Sequence, residues 1–501
     1  MTIYKQCIII KWYAYAYVLI SPRDLSIEVI KLFFADIFFL YCFLPICVAT
    51  YMMAKKVEHK NVVLIAFSLL FYSFGEPLLI LLLLASVFIN FMLARIIDLK
   101  RGERGAKIAL ACALAYDIGM LAVFKYTDFI IDNINGITGL SISPSGISLP
   151  LGISFYTFQI ISYVVDVYWG NVGVQTKFHK LLLYVSLFPQ LVAGPIVRYS
   201  TVAAEIDNRT TTISDFTAGA TRLIFGLSKK VLLANSLNLL VNELFGNDLT
   251  QTTVLGTWLG VIAYSMYVYF DFSGYSDMAI GMGRMFGFHF DENFRHPFMC
   301  RSIAEFWQRW HISLGSFFRD YLLYVPIFGR RRQVLSLFLV WFTTGLWHGA
   351  SWNFVLWGLY FGVFLFIETK IGKKRLKKVP TVIMHIYNKL VIIVGFGIFK
   401  FENMSDLGNF FKNLVGANGN AFTSVETKEI FMKYVFIFGI SVLACFPIVP
   451  FIKARVAKAS SNQQGLAILG ATAIAVALLF VNTAVLIATS SSNNPFLYWR
   501  F

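Results

Sequence analysis

Two histidines in tryptophan-rich surroundings carry the clearest chemical signal in the chain. His348 stands in Thr344-Gly345-Leu346-Trp347-His348-Gly349-Ala350-Ser351-Trp352, and His311 follows Trp307 and Trp310 and precedes Ser313. An imidazole removes a proton near neutral pH, and partial burial keeps it ready to do so. The alternative, a pair of satisfied packing residues, stays open on spacing alone. His59, His179, His289, His296 and His385 sit near the ends of apolar runs and read as ordinary interface or surface residues. Two carboxylates, Asp271 and Asp277, flank Phe272-Ser273-Gly274-Tyr275-Ser276. Ionisable groups at the end of an apolar run are paired or functional. Their spacing leaves both readings open, a structural ion pair or direct substrate contact. No HExxH, zinc-type Cys/His cluster, P-loop or GxSxG elbow occurs, so no metal site is expected. The six cysteines form no CxxC and read as small buried hydrophobes.

These groups need elements to hold them. Trp341, Thr344, Gly345 and His348 share one face of a helix over 334–350, and Gly345 leaves room beside His348 for a third body. His348 lies 16 residues beyond Arg332, roughly 24 Å along a helix at about 1.5 Å per residue. Upstream, Ser302-Ile303-Ala304-Glu305 is a capping-box pattern. Apolar residues then recur at helical spacing from Ile303 to Tyr321, which predicts one amphipathic interfacial helix over 301–324 with His311 pointing into protein. Gly283 and Gly287 stand in GxxxG spacing with Ser276 on the same helical face. Pro150–Phe155 and Phe188–Pro195 interrupt apolar runs, as a simple kink or as a cavity wall.

Composition places all of this in lipid. The chain has 501 residues, 57% hydrophobic and only 14% charged, with 17% aromatic. That excludes disorder and argues against a soluble enzyme. The net charge of +16 sits in short basic clusters between apolar stretches, the signature of cytosolic loops and not of nucleic-acid binding. Apolar spans are predicted near 32–54, 62–74, 78–95, 108–125, 147–169, 178–197, 221–244, 254–272, 335–350, 352–368, 382–401, 430–452 and 466–488. About eleven should be true crossings, the remainder re-entrant or interfacial. Basic segments at 55–60, 95–107, 330–332, 370–378 and 453–458 should be cytosolic. The hairpins 62–95 and 335–368 then go out and return, and the polar stretches 127–145 and 403–429 lie outside. Residues 1–30 read as an N-terminal extension of doubtful role, and 31–501 as a single membrane domain.

The runs Gly152–Gln159, Phe188–Arg198, Phe270–Phe288, Glu305–Asp320 and Thr344–Trp352, with the ending Asn494–Tyr498, resemble the membrane-bound O-acyltransferase family, most of all its alginate O-acetylation branch. The resemblance implies an all-α polytopic membrane protein, a ring of tilted transmembrane helices around a central tunnel. It implies His348 as the catalytic histidine and His311 as the second histidine of the tunnel. Trp307, Trp310, Ser313, Arg319, Asp320, Trp347, Asp271, Tyr275 and Asp277 are the further substrate or tunnel candidates. It implies acyl transfer, with acetyl-CoA or another acyl thioester as donor and hydroxyls of a cell-surface polysaccharide as acceptor. An extracytoplasmic SGNH-type acetyltransferase or a polysaccharide synthesis complex is the expected partner, in the bacterial inner membrane. A lipid or protein acceptor, or a transporter, are the alternatives.

Residues and resemblance meet in one expectation. The donor enters from a basic cytosolic mouth, where Lys229, Lys230, Arg330, Arg331 and Arg332 favour phosphates. The acceptor approaches from outside, His348 takes its proton, and His311 or Trp310 steadies the oxyanion. The loop arithmetic also puts the C-terminus outside. A reporter active only in the cytosol, fused after Phe501, should therefore stay silent; a strong signal would refute this topology.

Overall fold

The computed structural model describes residues 32–246, 248–323, 333–448 and 462–489, together with Phe496. The N-terminal extension, the basic run 453–458 and most of the 494–498 ending lie outside the described residues. So do Arg330, Arg331 and Arg332. The described residues are helical, with no strand. A π-turn, Phe39–Phe43, leads into α1 (Leu44–Met53), followed by α2 (Val57–Gly75), α3 (Ile80–Leu99), α4 (Arg104–Thr138), α5 (Ile153–Trp169) and α6 (Phe178–Ser186). Then come α7 (Ile213–Ser228), α8 (Asn235–Phe245), α9 (Val254–Met285), α10 (Ile303–Arg309), α11 (Ile312–Phe318) and α12 (Gln333–His348). Last come α13 (Trp352–Ile371), α14 (Thr381–Lys400), α15 (Met404–Leu414), α16 (Val425–Ala444) and α17 (Asn462–Thr489). Among the described residues six helices are long and apolar enough to cross a membrane: α2, α3, α4, the continuous stretch Ile213–Phe245, α13 and α14.

The centre is α9. Thr253 caps it, accepting from the Gly256 amide, and burial is unbroken from Ala263 to Ser276. Its first half belongs to an apolar cluster with α8, α10, α13 and α14. Its second half joins a cluster built from α1 to α6. The α7 helix packs on it backbone to backbone. A Cβ on Gly226 would stand 2.5 Å from the Gly274 carbonyl oxygen, and one on Gly219 would stand 2.5 Å from that of Gly281. Small residues are the means by which helices approach in lipid.

Several boundaries differ from the sequence expectation. The span expected to end at 272 continues through both carboxylates to Met285, because each carboxylate has a cation beside it. The stretch 127–138, read as part of a polar outer loop, is the last third of α4. Gly287 has φ +79° and lies just past the end of α9, so Gly283 and Gly287 do not form a helical seam. The expected helix over 301–324 is three pieces, α10, α11 and a π-turn at Arg319–Leu323, broken at Trp310-His311.

The Gly-to-Gly seam yields a test. Gly226→Leu should lose about 3 kcal/mol or more through overpacking, seen as a lower thermal midpoint in detergent. Gly439→Leu, with no described atom within 4 Å of its Cβ position, should leave the midpoint nearly unchanged.

Candidate active site

His348 is the last residue of α12, and the chain turns through Gly349–Ser351 into α13. This hairpin also packs backbone on backbone. A Cβ on Gly345 would lie 2.3 Å from the Phe354 carbonyl oxygen, and one on Gly358 would lie 2.2 Å from that of Trp341. The space beside Gly345 is therefore filled by α13, and the third body expected there is the returning helix. The His348 ring is 2% exposed. Three rings meet it edge-on, Trp357 at 4.7 Å, Trp347 at 5.0 Å and Phe399 at 5.2 Å between centroids.

His311 is equally buried, and its backbone is left-handed, φ 44° and ψ 55°. A non-glycine residue there costs about 1–3 kcal/mol and persists only when its surroundings fix it. Asn293 does so. Its backbone oxygen accepts from Ile312 N at 3.0 Å, and its side-chain Oδ1 accepts from Ser313 N at 3.1 Å and Ser313 Oγ at 2.9 Å. His311 Nδ1 lies 3.2 Å from the same Oδ1. The Ser313 N–H can only donate, which assigns the Asn293 atom it meets as Oδ1 and leaves Nδ2 to donate to Ser276 Oγ at 3.0 Å. The His311 proton then belongs on Nδ1, and Nε2 carries the lone pair. In this tautomer His311 suits accepting a proton better than donating to an oxyanion. The Trp347 ring joins the two histidines, 5.7 Å from His311 and 5.0 Å from His348.

The break at Trp310-His311 has a packing cause. Ile303, Phe306 and Trp310 belong to one apolar cluster, while Leu314, Phe317 and Trp347 belong to the other. The site occupies the seam between them. The interrupted run Phe188–Pro195 forms part of its wall, wholly buried, with Phe188 N donating to Ser68 Oγ and Ile196 N to Ser313 Oγ, both at 3.0 Å.

Asn293, which meets His311, also lines a polar cavity of about 190 Å³. Arg222, Lys229, Ser276, Asp277, Glu292 and His296 line it. Arg222 donates to Asp277 at 2.8 Å and to Glu292 at 2.5 Å, and Lys229 to Asp277 at 2.6 Å. Two cations and two carboxylates balance, so Lys229 does not make a cationic mouth. Lys230 is fully buried, its Nζ 2.5 Å from Asp271 Oδ1. It forms a buried ion pair, not an entry site for phosphates. Of the basic mouth expected from sequence, Lys229 and Lys230 are thus spent on carboxylates, and Arg330, Arg331 and Arg332 fall outside the described residues.

The other sequence candidates divide in two. Trp307, Trp310, Ser313 and Trp347 gather around the histidines. Trp307 packs on Trp357 at 5.5 Å, and Trp310 sits among Phe294, Phe306 and Phe396. Tyr275 stacks on Phe34 at 4.8 Å and meets Phe496 at 4.9 Å, the ring over which Lys230 lies. Arg319 and Asp320 form a half-exposed ion cluster with Arg198. Sequence reasoning missed Asn293, which lies in a polar loop without a distinguishing pattern. It also missed Lys125 of α4, whose Nζ donates to the Trp347 carbonyl oxygen and, at 3.3 Å, to Ser154 Oγ. A lone lysine inside an apolar run was the available signal.

The buried pair gives a prediction that separates structure from chemistry. Asp271→Leu alone should cost roughly 3–5 kcal/mol by stranding Lys230, and the double change Lys230→Met with Asp271→Leu should recover most of it. Thermal midpoints of the three proteins check this. A double variant that is stable yet no longer transfers acyl groups would place the pair in the chemistry.

Residues 172–403 match the model of MBOAT, the membrane-bound O-acyltransferase family. Over 506 residues the chain is 34% identical to the probable alginate O-acetylase AlgI of Azotobacter vinelandii, covering 93% of this chain and 100% of that protein. It is 31% identical to the peptidoglycan O-acetyltransferase of Helicobacter pylori, covering 78% and 81%. It is also 31% identical to the teichoic acid D-alanyltransferase of Bacillus subtilis, covering 43% and 58%. With two buried imidazoles at the seam of an apolar helical body, this chain belongs to the membrane-bound O-acyltransferase family and is a multi-pass membrane O-acyltransferase.

Proposed function

We propose that the enzyme carries an acetyl group from a cytosolic thioester, acetyl-CoA or another acyl thioester, to hydroxyls of a cell-surface polysaccharide in a bacterial inner membrane, with His348 as general base. The observation that carries this reading is the pairing of His348 and His311 across one tryptophan ring, at the place where two apolar clusters meet. The alginate and peptidoglycan acetylases among its relatives support the polymer acceptor. The final hydroxyl belongs either to the sugar or to a carrier residue on an SGNH-type partner.

The chemistry balances without an acyl-enzyme. The acceptor hydroxyl gives its proton to His348 as its oxygen attacks the thioester carbon. The tetrahedral intermediate collapses, the carbon–sulfur bond breaks, and the imidazolium returns the proton to the departing sulfur. One ester forms and one thiol is released. The buried indole N–H of Trp357, beside His348 and without a hydrogen-bond partner among the described residues, adds a donor for the oxyanion to the sequence candidates. Both imidazoles are enclosed by aromatic rings, so this reading requires those side chains to shift before the reactants can reach them.

General-base help is worth about 10² to 10⁴-fold. His348→Ala should therefore reduce the alkali-labile acetate of the cell-surface polymer by at least about 100-fold, while the protein accumulates in the membrane at the wild-type level. Retained acetylation would remove His348 from the chemistry, and acetate lost from lipid or protein but not polymer would reassign the acceptor.

A further inference from the structure

A helix that ends inside a membrane protein leaves its last carbonyls without intrahelical partners and without water to replace them. The α12 helix ends this way at His348. Its terminal carbonyls are met by consecutive residues of one other helix, α4. The Tyr126 hydroxyl donates to the Leu346 carbonyl oxygen at 2.7 Å, and the Lys125 ammonium donates to that of Trp347. The Lys125 charge also lies 5.9 Å over the Trp347 ring, and a cation at a helix C-terminus complements the macrodipole.

Lys125 is itself held. Its second hydrogen bond, at 3.3 Å, goes to Ser154 Oγ, in the first turn of α5. That turn is fixed by Gly152, whose backbone is left-handed and whose Cβ position lies 2.6 Å from the Leu191 carbonyl oxygen. From the same helix Phe155 and Phe158 pack on Trp347 at 5.4 and 5.9 Å. Two elements, α4 and α5, thus converge on the residue that precedes His348.

We propose that Lys125 is a positioning residue for acyl transfer: together with Tyr126 it seats the end of α12 and so fixes where the His348 imidazole stands. This rests on the reading of His348 as the base. A packing lysine would need no such pair of adjacent contacts on adjacent carbonyls. A misplacement of about 1 Å at a reacting group can cost about 100-fold in rate, so the contact matters well beyond its own hydrogen bonds.

The test uses the full chain in a strain lacking its own copy, complemented with wild type, His348→Ala, Lys125→Met, Lys125→Arg or Tyr126→Phe. Alkali-labile acetate of the cell-surface polymer is normalised to the amount of protein in the membrane. In the purified proteins, the rate at which diethyl pyrocarbonate modifies His348, relative to exposed His59, reports the setting of the imidazole directly. Lys125→Met should lose at least tenfold in acetate and change the His348-to-His59 ratio at least threefold. Lys125→Arg should recover at least a third of the activity, and Tyr126→Phe should lose two- to fivefold. If Lys125→Met fails to accumulate, Tyr126→Phe, which removes the neighbouring donor and keeps the lysine, decides by the same two measures: full acetylation with an unchanged His348-to-His59 ratio overturns the proposal. Normal acetylation in the Lys125 variant overturns the proposal, as does a loss with an unchanged His348 ratio. Full acetylation in His348→Ala overturns the reading of the base itself, a result distinct from either.

Discussion

Inside a bilayer a backbone amide or carbonyl that leaves its helix must find a partner within the protein, because water is not there to take it. The active-site region depends on meeting that demand twice. The chain leaves helical geometry at Trp310-His311, and Asn293 takes up the freed groups with its backbone and side-chain oxygens. It leaves helical geometry again after His348, and Lys125 and Tyr126 take up the carbonyls just before it. Each histidine therefore stands at an irregular point that a polar side chain from another element has closed. The positions that are costly to build are the positions that carry imidazoles.

The larger architecture supplies the partners. The α9 helix runs through both apolar clusters, so one rigid element spans the seam in which the histidines lie. Glycine pairs bring α7 against it, and the same device closes the α12–α13 hairpin. The carboxylates of α9 are neutralised by Lys230, Lys229 and Arg222 on the adjoining stretch 222–230. Such pairs are weak evidence for stability, since desolvation opposes the Coulomb gain. They do fix the register of α7 on α9, and through Ser276 and Asn293 that register is tied to the His311 ring.

Much of this was legible in the residues. Apolar runs located the six helices long and apolar enough to cross a membrane, Ser302 caps α10 as read by accepting from Glu305 N at 3.0 Å while the Glu305 carboxylate takes the Arg301 amide, and both Trp-flanked histidines pack on Trp347. What was illegible depended on contacts between distant segments. Periodicity continues across Trp310 and His311 as though one helix ran through them, and only packing into two different clusters breaks it. The carboxylates of α9 looked like an end to an apolar span because their cations lie about 40 to 50 residues upstream. Gly283 and Gly287 matched a spacing, whereas the working contacts pair Gly219 and Gly226 of α7 with Gly281 and Gly274 of α9, a seven-residue spacing in each helix whose use shows only when the two helices are set side by side. Lys125 was visible as a charge in an apolar run, but its meaning came from a carbonyl 222 residues away.

The central claim is that the acyl group is handed over beside His348. The most direct measurement is a cryo-electron microscopy structure of the full chain with a non-hydrolysable thioether analogue of the acyl donor. The account predicts density for the acyl carbon at the two-histidine seam, near enough to His348 for a hydroxyl at about 3–3.5 Å from that carbon to reach the imidazole. Density that places the acyl carbon outside this seam, with His348 still packed among Trp347, Trp357 and Phe399, would contradict it.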